Sequence, residues 1–186
     1  MESNTLDYLI NLEGIRQTKA RYCRYIDTKQ WSRLSDLFTT DCTFEGLGSA
    51  PAGANVATFI EGVSHRLQNT ISVHHVHQSE IVFTGIDSAR GIWAMEDYVE
   101  WQDGSAVNET PGFRGFYGFG HYEEEYRYKD GLWKISMLRL ARLRIDPVPT
   151  DNPPTRMGRC QATPDWLDAL PNEAMGNAGF LKKDTK

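Results

Sequence analysis

The chain has little of what marks several large classes of protein. It contains only three cysteines in 186 residues, Cys23, Cys42 and Cys160, an odd number with no metal-ligand spacing. We therefore expect free thiols in a reducing compartment rather than a disulfide framework. No apolar run is long enough to span a membrane, and the amino terminus is acidic and amphipathic, unlike a secretory signal. These absences predict a cytoplasmic protein without a membrane partner.

Positive charge is scarce as well. Lys and Arg number 20 against 25 Asp and Glu, which gives a net charge of -5. Arg139, Arg142 and Arg144 alternate with apolar residues and form no basic stripe, so we expect no nucleic-acid partner. Signatures of a phosphate-binding loop, a dinucleotide-binding turn and a Ser-His-Asp nucleophile are also absent, which excludes several enzyme classes.

Hydrophobic spacing divides the chain into a helical part and a sheet part. A composition of 40% hydrophobic and 24% charged residues fits one compact soluble domain. The segment DCTFEGLG, which begins at Asp41, predicts a short strand between the second and third of three helices. The apolar residues at helical spacing are Leu6, Ile10, Ile15, Tyr22 and Ile26, then Trp31, Leu34, Leu37 and Phe38, then Val56, Phe59, Ile60, Val63 and Leu67.

From Val73 the hydrophobic period changes to two. This pattern predicts strands at 79–83, 91–101, 113–128 and 132–145. The longest exceed the usual five or six residues, and glycines interrupt the third, as sharply curved strands require. We therefore expect an α+β fold in which a curved antiparallel sheet wraps around three helices and encloses a cavity.

The end of the chain changes character, since six of the eight prolines fall at or after Pro147. We expect a domain over residues 1–146 and a proline-rich tail over 147–186. A small apolar patch at Trp166, Leu167 and Leu170 would let the tail dock on the core or on a neighbouring subunit.

Apolar residues occupy both faces of the strand at 91–101. Ile92, Ala94 and Tyr98 lie opposite the face that carries Trp93 and Met95, and a sheet with one face in water would alternate with polar residues. We therefore expect another subunit to cover the second face and the protein to be a homo-oligomer. The alternative cover is the tail.

Two segments about fifty residues apart carry candidate acid–base chemistry. RYCRYIDTKQW places Asp27 on a helix, and SVHHVHQSEIVF places His74 in the approach to a strand. A carboxylate beside an imidazole fixes the ring's tautomer and stabilises its protonated form. The residues alone do not choose among His74, His75 and His77, because parity does not say which strand face lines the pocket and a bulge would invert it.

The HHVH segment also resembles a metal-binding motif. His75 and His77 on one strand face would ligate zinc or iron, with Glu80 or His121 completing the set. That arrangement suits a cupin-like enzyme, but the helical first third argues against such a fold and no second histidine pair follows. We therefore expect no metal and no cofactor.

The strand GIWAMEDYVEW supplies further pocket candidates. Trp93 and Met95 alternate on one apolar face, as core residues do, and residues of such a face also form the walls of an apolar pocket. Asp97 lies on the same face and is a candidate second carboxylate. We expect these three residues to contribute to substrate binding.

The order of four segments, YCRYIDTKQW, HHVHQSEIVF, GIWAMEDYVEW and YEEEYRYKDGLWKIS, resembles the SnoaL-like branch of the nuclear transport factor 2-like superfamily. The resemblance covers roughly residues 8 to 146. Within the family it is strongest to the bile-acid 7-alpha-dehydratases, with scytalone dehydratases and lindane dehydrochlorinases as more distant likenesses. It implies a cone of sheet and helices with an internal pocket, and it favours a trimer over a dimer.

The resemblance also implies roles for individual residues. Asp27 and His74 match the family's catalytic aspartate and histidine, which favours His74 over its neighbours. Tyr22 matches a pocket-facing tyrosine or lysine, and Arg142 matches an arginine of the last strand. The chain departs from the bile-acid enzymes by lacking a tyrosine on the first strand, and from scytalone dehydratase by lacking a second histidine in GIWAMED.

Residues and resemblance together predict cofactor-free proton abstraction. Asp27 would bind one imidazole nitrogen of His74 while the other takes an acidic proton from a small hydrophobic molecule activated by a carbonyl, such as a steroid, polyketide or aromatic compound. Return of the proton to a hydroxyl gives dehydration, and return to another carbon gives isomerisation or ring closure. The alternative is a non-catalytic ligand-binding or dimerisation module of the same fold.

Overall fold

A computed structural model of the chain describes residues 5–101 and 109–151, together with Leu167. Helices come first and most of the sheet follows, as an α+β fold requires. The elements in chain order are α1 (Thr5–Asp27), α2 (Trp31–Ser35), β1 (Phe38–Glu45), α3 (Val56–Leu67), β2 (Thr70–Phe83), β3 (Ser88–Trp101), β4 (Gly115–Lys129) and β5 (Leu132–Val148).

The five strands form one sheet in the order β1-β5-β4-β3-β2. Strands β2 to β5 are antiparallel neighbours, while β1 pairs with β5 in parallel, with Thr43 opposite Met137. The predicted α+β fold, a curved sheet with amino-terminal helices, is confirmed. The parallel edge was not predicted, because hydrophobic alternation within β1 gives no information on the direction of its partner.

The helices bury their apolar stripes against the sheet. Ile15, Tyr22 and Ile26 of α1 are at most 1% exposed, and Phe59 of α3 stacks on Phe44 of β1 with ring centroids 4.1 Å apart. Burial of such aromatic side chains contributes most of the stabilisation in a core of this kind. The core fixes the end of α1 beside the first residues of β2, which sets the position of the candidate site.

Predicted boundaries differ from the structure at α2 and β2, among other places. Helix α2 has five residues and ends before Phe38, which begins β1 instead of extending the helix face, because the carbonyl of Leu37 already accepts from the N–H of Ile135. Strand β2 begins at Thr70 rather than at residue 79. Its histidines and serines resemble a polar loop, yet their backbone pairs with β3.

A register shift in β2 changes the parity of the strand. It falls between Val76 and Ser79 in the pairing with β3. His74 and Val76 before the shift, and Ile81 and Phe83 after it, therefore all lie on the side of the core. Strict period-two alternation, without the shift, predicts His74 on the opposite face of the strand from Ile81 and Phe83.

The other face of the sheet carries exposed apolar residues, with Val73, Ile92 and Tyr117 between 37% and 45% exposed. The homo-oligomer, and a trimer in particular, stays a prediction. Strand β5 runs to Val148, just past the predicted start of the tail.

The tail residues Trp166 and Leu170 lie outside the described part of the chain, as does Cys160. Cys23 and Cys42 are buried and free. None of the helices in the described ranges combines the length and the hydropathy that crossing a bilayer requires.

Candidate active site

Asp27, the last residue of α1, receives three hydrogen bonds from the start of β2. The backbone N–H of His74 donates to Oδ2 at 2.8 Å, and the Ser72 hydroxyl donates to Oδ1 at 3.0 Å. Nδ1 of His74 lies 2.7 Å from Oδ1. Because a carboxylate only accepts, this contact places the proton of the neutral ring on Nδ1 and leaves a lone pair on Nε2.

His74 is the histidine that lines the pocket. Its side chain is 7% exposed, whereas those of His75 and His77 are 61% and 50% exposed and lie 3.5 Å and 3.6 Å from Glu96. Within residues 5–101 and 109–151, no group of three or more His, Cys, Asp or Glu side chains is arranged to hold a metal ion. The alternative site at His75 and His77, with Glu80 or His121, is therefore not assembled in the described structure.

The far side of the imidazole faces a second carboxylate. Oδ2 of Asp97 lies 4.0 Å from Nε2 of His74, and the Asp97 side chain is 3% exposed. Arg142 binds both carboxylate oxygens, with Nη1 2.6 Å from Oδ1. This ion pair offsets the cost of burying the Asp97 charge.

Gly118 of β4 leaves room for that ion pair. A β-carbon at this position would lie 1.9 Å from Nη1 of Arg142 and 2.3 Å from Oδ1 of Asp97, so any side chain here would force the ion pair to move. Strand curvature explained the glycines of β4 from the sequence. For Gly118 the structure adds a reason that local sequence does not contain.

Two buried tyrosines add to the polar part of the pocket. Tyr22 and Tyr122 are at most 2% exposed, with ring centroids 5.7 Å apart in an edge-to-face arrangement. Burial raises the pKa of both phenols well above the ordinary value of 10.0, so both hydroxyls stay protonated at neutral pH.

The pocket is open to solvent at its mouth, and its cavity has a volume of about 70 Å³. An ion pair between Arg66 and Glu109 also lines it. Most of the remaining wall is apolar and comprises Ile26, Leu47, Phe59, Val63, Leu67, Val99, Phe116 and Leu140.

Trp93 and Met95 lie in the core, outside the pocket lining. Both are buried, but among the described residues that line the pocket neither is present. Nε1 of Trp93 donates to the Tyr126 hydroxyl at 3.0 Å, and Sδ of Met95 lies 3.9 Å from Nη1 of Arg142. They share the strand face of Asp97 as predicted, but their contact with a substrate stays a prediction.

Sequence reasoning missed several residues in or next to the pocket. Ser72 is two residues before His74 on the same strand, so period-two alternation was a usable signal for it. Arg66 and Glu109 are 43 residues apart, and no local pattern indicates their pairing.

Three amino-terminal helices on a curved sheet, with a pocket of buried acid–base groups between them, define a protein of the nuclear transport factor 2-like class. Residues 7–139 match the SnoaL-like domain, and the chain belongs to that family.

The relatives include a probable cyclase, FGR4, from Gibberella zeae, which is 25% identical over 141 residues, 69% of this chain and 89% of that protein. Among solved structures, hexachlorocyclohexane dehydrochlorinase LinA type 2 superposes with a TM-score of 0.69 at 18% identity, over 83% of this chain and 99% of that one. A scytalone dehydratase-like protein from Novosphingobium aromaticivorans superposes with a TM-score of 0.66 at 16% identity, over 85% of this chain and 100% of that one. The structural likenesses show the fold. The similarity to bile-acid 7-alpha-dehydratases stays a prediction.

Proposed function

We propose that the protein is a cofactor-independent lyase or isomerase that uses Asp27 and His74 to move a proton on a small hydrophobic substrate. The 2.7 Å contact between Asp27 Oδ1 and His74 Nδ1 carries this proposal. It leaves Nε2 as the basic nitrogen of a ring that lines the pocket. Membership of the SnoaL-like family, and the names of the cyclase, dehydrochlorinase and dehydratase-like relatives, support the same reaction class.

In the proposed reaction, Nε2 of His74 takes a proton from a carbon next to a carbonyl or a leaving group. Asp27 holds the ring in the productive tautomer and stabilises the imidazolium that forms. Tyr22, Tyr122 and Arg142 line the same pocket, and a developing oxyanion would accept a hydrogen bond from one of these side chains. One well-placed donor of this kind contributes about 3 to 4 kcal/mol to transition-state stabilisation.

The proposed substrate is a hydrophobic molecule activated by a carbonyl, such as a steroid, a polyketide or an aromatic compound. The largely apolar wall supports this choice, and the described cations of the pocket, Arg66 and Arg142, are each already bound to a protein carboxylate. Return of the proton to a leaving hydroxyl would complete a dehydration, and return to another carbon would complete an isomerisation or cyclisation. A module that only dimerises needs neither an open pocket nor a buried imidazole, so these two features favour a function that involves a ligand.

A deuterium-incorporation screen tests the proposal. The protein is incubated in D₂O with a panel of hydrophobic ketones and β-hydroxy carbonyl compounds, and mass spectrometry detects incorporated deuterium or lost water. We expect at least one compound to react with the wild type and not with Asp27→Asn or His74→Gln. Compounds that bind, as seen in thermal shifts, but never exchange a proton would favour the non-catalytic binding module.

A further inference from the structure

Lys29 adopts a backbone conformation that lysine rarely takes. Its φ angle is 60°, in the left-handed region. The N–H of Gln30 donates to the carbonyl of Tyr25 at 2.8 Å, and that of Lys29 donates to the carbonyl of Ile26 at 3.1 Å. These two bonds close a Schellman motif at the end of α1, and the residue at the position of Lys29 in such a motif is usually glycine. The chain thus has a long cationic side chain where glycine would relieve strain.

The ammonium group of Lys29 is three hydrogen bonds away from His74. Nζ donates to the Ser72 hydroxyl oxygen at 2.8 Å and lies 3.3 Å from Oγ1 of Thr70. An ammonium group has no acceptor, so Ser72 accepts from Lys29 and directs its own proton to Oδ1 of Asp27, 3.0 Å away. The same Oδ1 binds Nδ1 of His74.

Lys29 has few charged neighbours. On α1 it faces the Asp27 carboxylate, on α2 the Trp31 ring at 5.9 Å, and on β2 the two hydroxyls of Thr70 and Ser72. Burial lowers the pKa of Lys29 from 10.5 to about 8, against the opposing effect of Asp27. The group is therefore cationic at neutral pH and loses its charge in mildly alkaline solution.

His74 has a separate set of charged neighbours on its other side. Asp97 of β3 lies 4.0 Å from Nε2 and is bound by Arg142 of β5. Lys29 therefore reaches the imidazole only through Ser72 and Asp27, on the Nδ1 side.

We propose that Lys29 is a positioning residue, which orients the Asp27 carboxylate toward His74 through the Ser72 hydroxyl and does so fully only while it carries its positive charge. The Asp27–His74 pair then depends on a second ionisation outside the pocket. The link to turnover rests on the proposed function, but the orientation itself does not.

The test reads the tautomer of His74 by long-range ¹⁵N–¹H correlation spectra of the ligand-free protein between pH 6.5 and 9.5, with the signals assigned by their loss in His74→Gln. In the wild type we expect the Nδ1–H form to predominate below about pH 8, and the share of the Nε2–H form to grow at higher pH, because Lys29 then loses its charge and orients the Asp27 carboxylate less well. Lys29→Gly, which keeps the backbone of the Schellman motif free of strain, should show a mixture of the two His74 tautomers already at pH 7.5. Lys29→Met and Ser72→Ala should do the same, and exposed Lys129→Met should behave as the wild type.

The inference is overturned if Lys29→Gly and Lys29→Met keep the wild-type tautomer and its pH dependence, or if Ser72→Ala alone changes them. Because no substrate is needed, this failure is distinct from failure of the proposed reaction. Once a substrate is known, Lys29→Met should lower kcat at least about tenfold with little change in KM.

Discussion

Arg142 occupies both carboxylate oxygens of Asp97 and so holds that carboxylate 4.0 Å from Nε2 of His74. An unpaired buried carboxylate at this distance would attract a proton to the imidazole and keep Nε2 from acting as a base. The ion pair thus gives the two carboxylates near the imidazole different roles. Asp27 orients the imidazole, and Asp97 is neutralised by Arg142.

Arg142→Gln should release Asp97 toward the imidazole. We expect kcat/KM to fall about 100-fold, because the base is then blocked and an oxyanion donor is lost. Adding Asp97→Asn removes the competing charge and should recover about tenfold of that loss. Steady-state kinetics of the two variants check this, and a double variant no better than the single one would show that Arg142 acts on the substrate alone.

Gly118→Ala should damage the same ion pair by steric overlap. Its β-carbon would lie 1.9 Å from Nη1 of Arg142, so the pair must move, and the free energy of unfolding should fall by about 1 to 3 kcal/mol. Gly91→Ala on β3 is the matched control, because its nearest neighbours lie at 3.4 Å or more. Urea denaturation compares the two, and equal stabilities would contradict the assigned role of Gly118.

A second buried ion pair joins Lys19 of α1 to Glu124 of β4, with Nζ 2.5 Å from Oε1 and both side chains fully buried. Lys19→Met leaves the Glu124 charge unpaired in the core and should destabilise the fold by about 3 to 5 kcal/mol. The double variant Lys19→Met with Glu124→Gln should recover most of this loss. Thermal denaturation measures the difference, and an undamaged single variant would be the contrary result.

Stability should also depend on the ionisation of Lys29. Its pKa is about 8 in the folded protein and near 10.5 when unfolded, so between these values the unfolded chain binds more protons. The wild type should therefore gain stability relative to Lys29→Met as pH rises from about 8 to 10.5. Denaturant titrations at pH 7 and pH 10 give this difference, and a difference that stays constant with pH would contradict it.

The fold was predictable because its helices and long strands carry clear hydrophobic periods. The direction of β1 was not, because a strand's own alternation is the same for parallel and antiparallel neighbours. The ends of α2 and β2 were misplaced where backbone pairing with another element outweighs local preference, as at Phe38 and Thr70.

The proximity of Asp27 and His74 was predictable from their segments and their resemblance to a family. The face of His74 was not predictable by counting, because the register shift after Val76 inverts the parity of β2. The room that Gly118 leaves for Arg142, and the position of Lys29 behind Ser72, arise from contacts between distant segments and have no local signal.

The most direct test of the central claim compares two adjacent histidines on one strand. His74→Gln removes the proposed base, while His75→Gln changes a side chain that is 61% exposed on the other face of the sheet. On a substrate found by deuterium incorporation, we expect His74→Gln to lower kcat at least about 100-fold and His75→Gln to leave it unchanged. Turnover by His74→Gln at the rate of His75→Gln, with both proteins folded, would contradict the account.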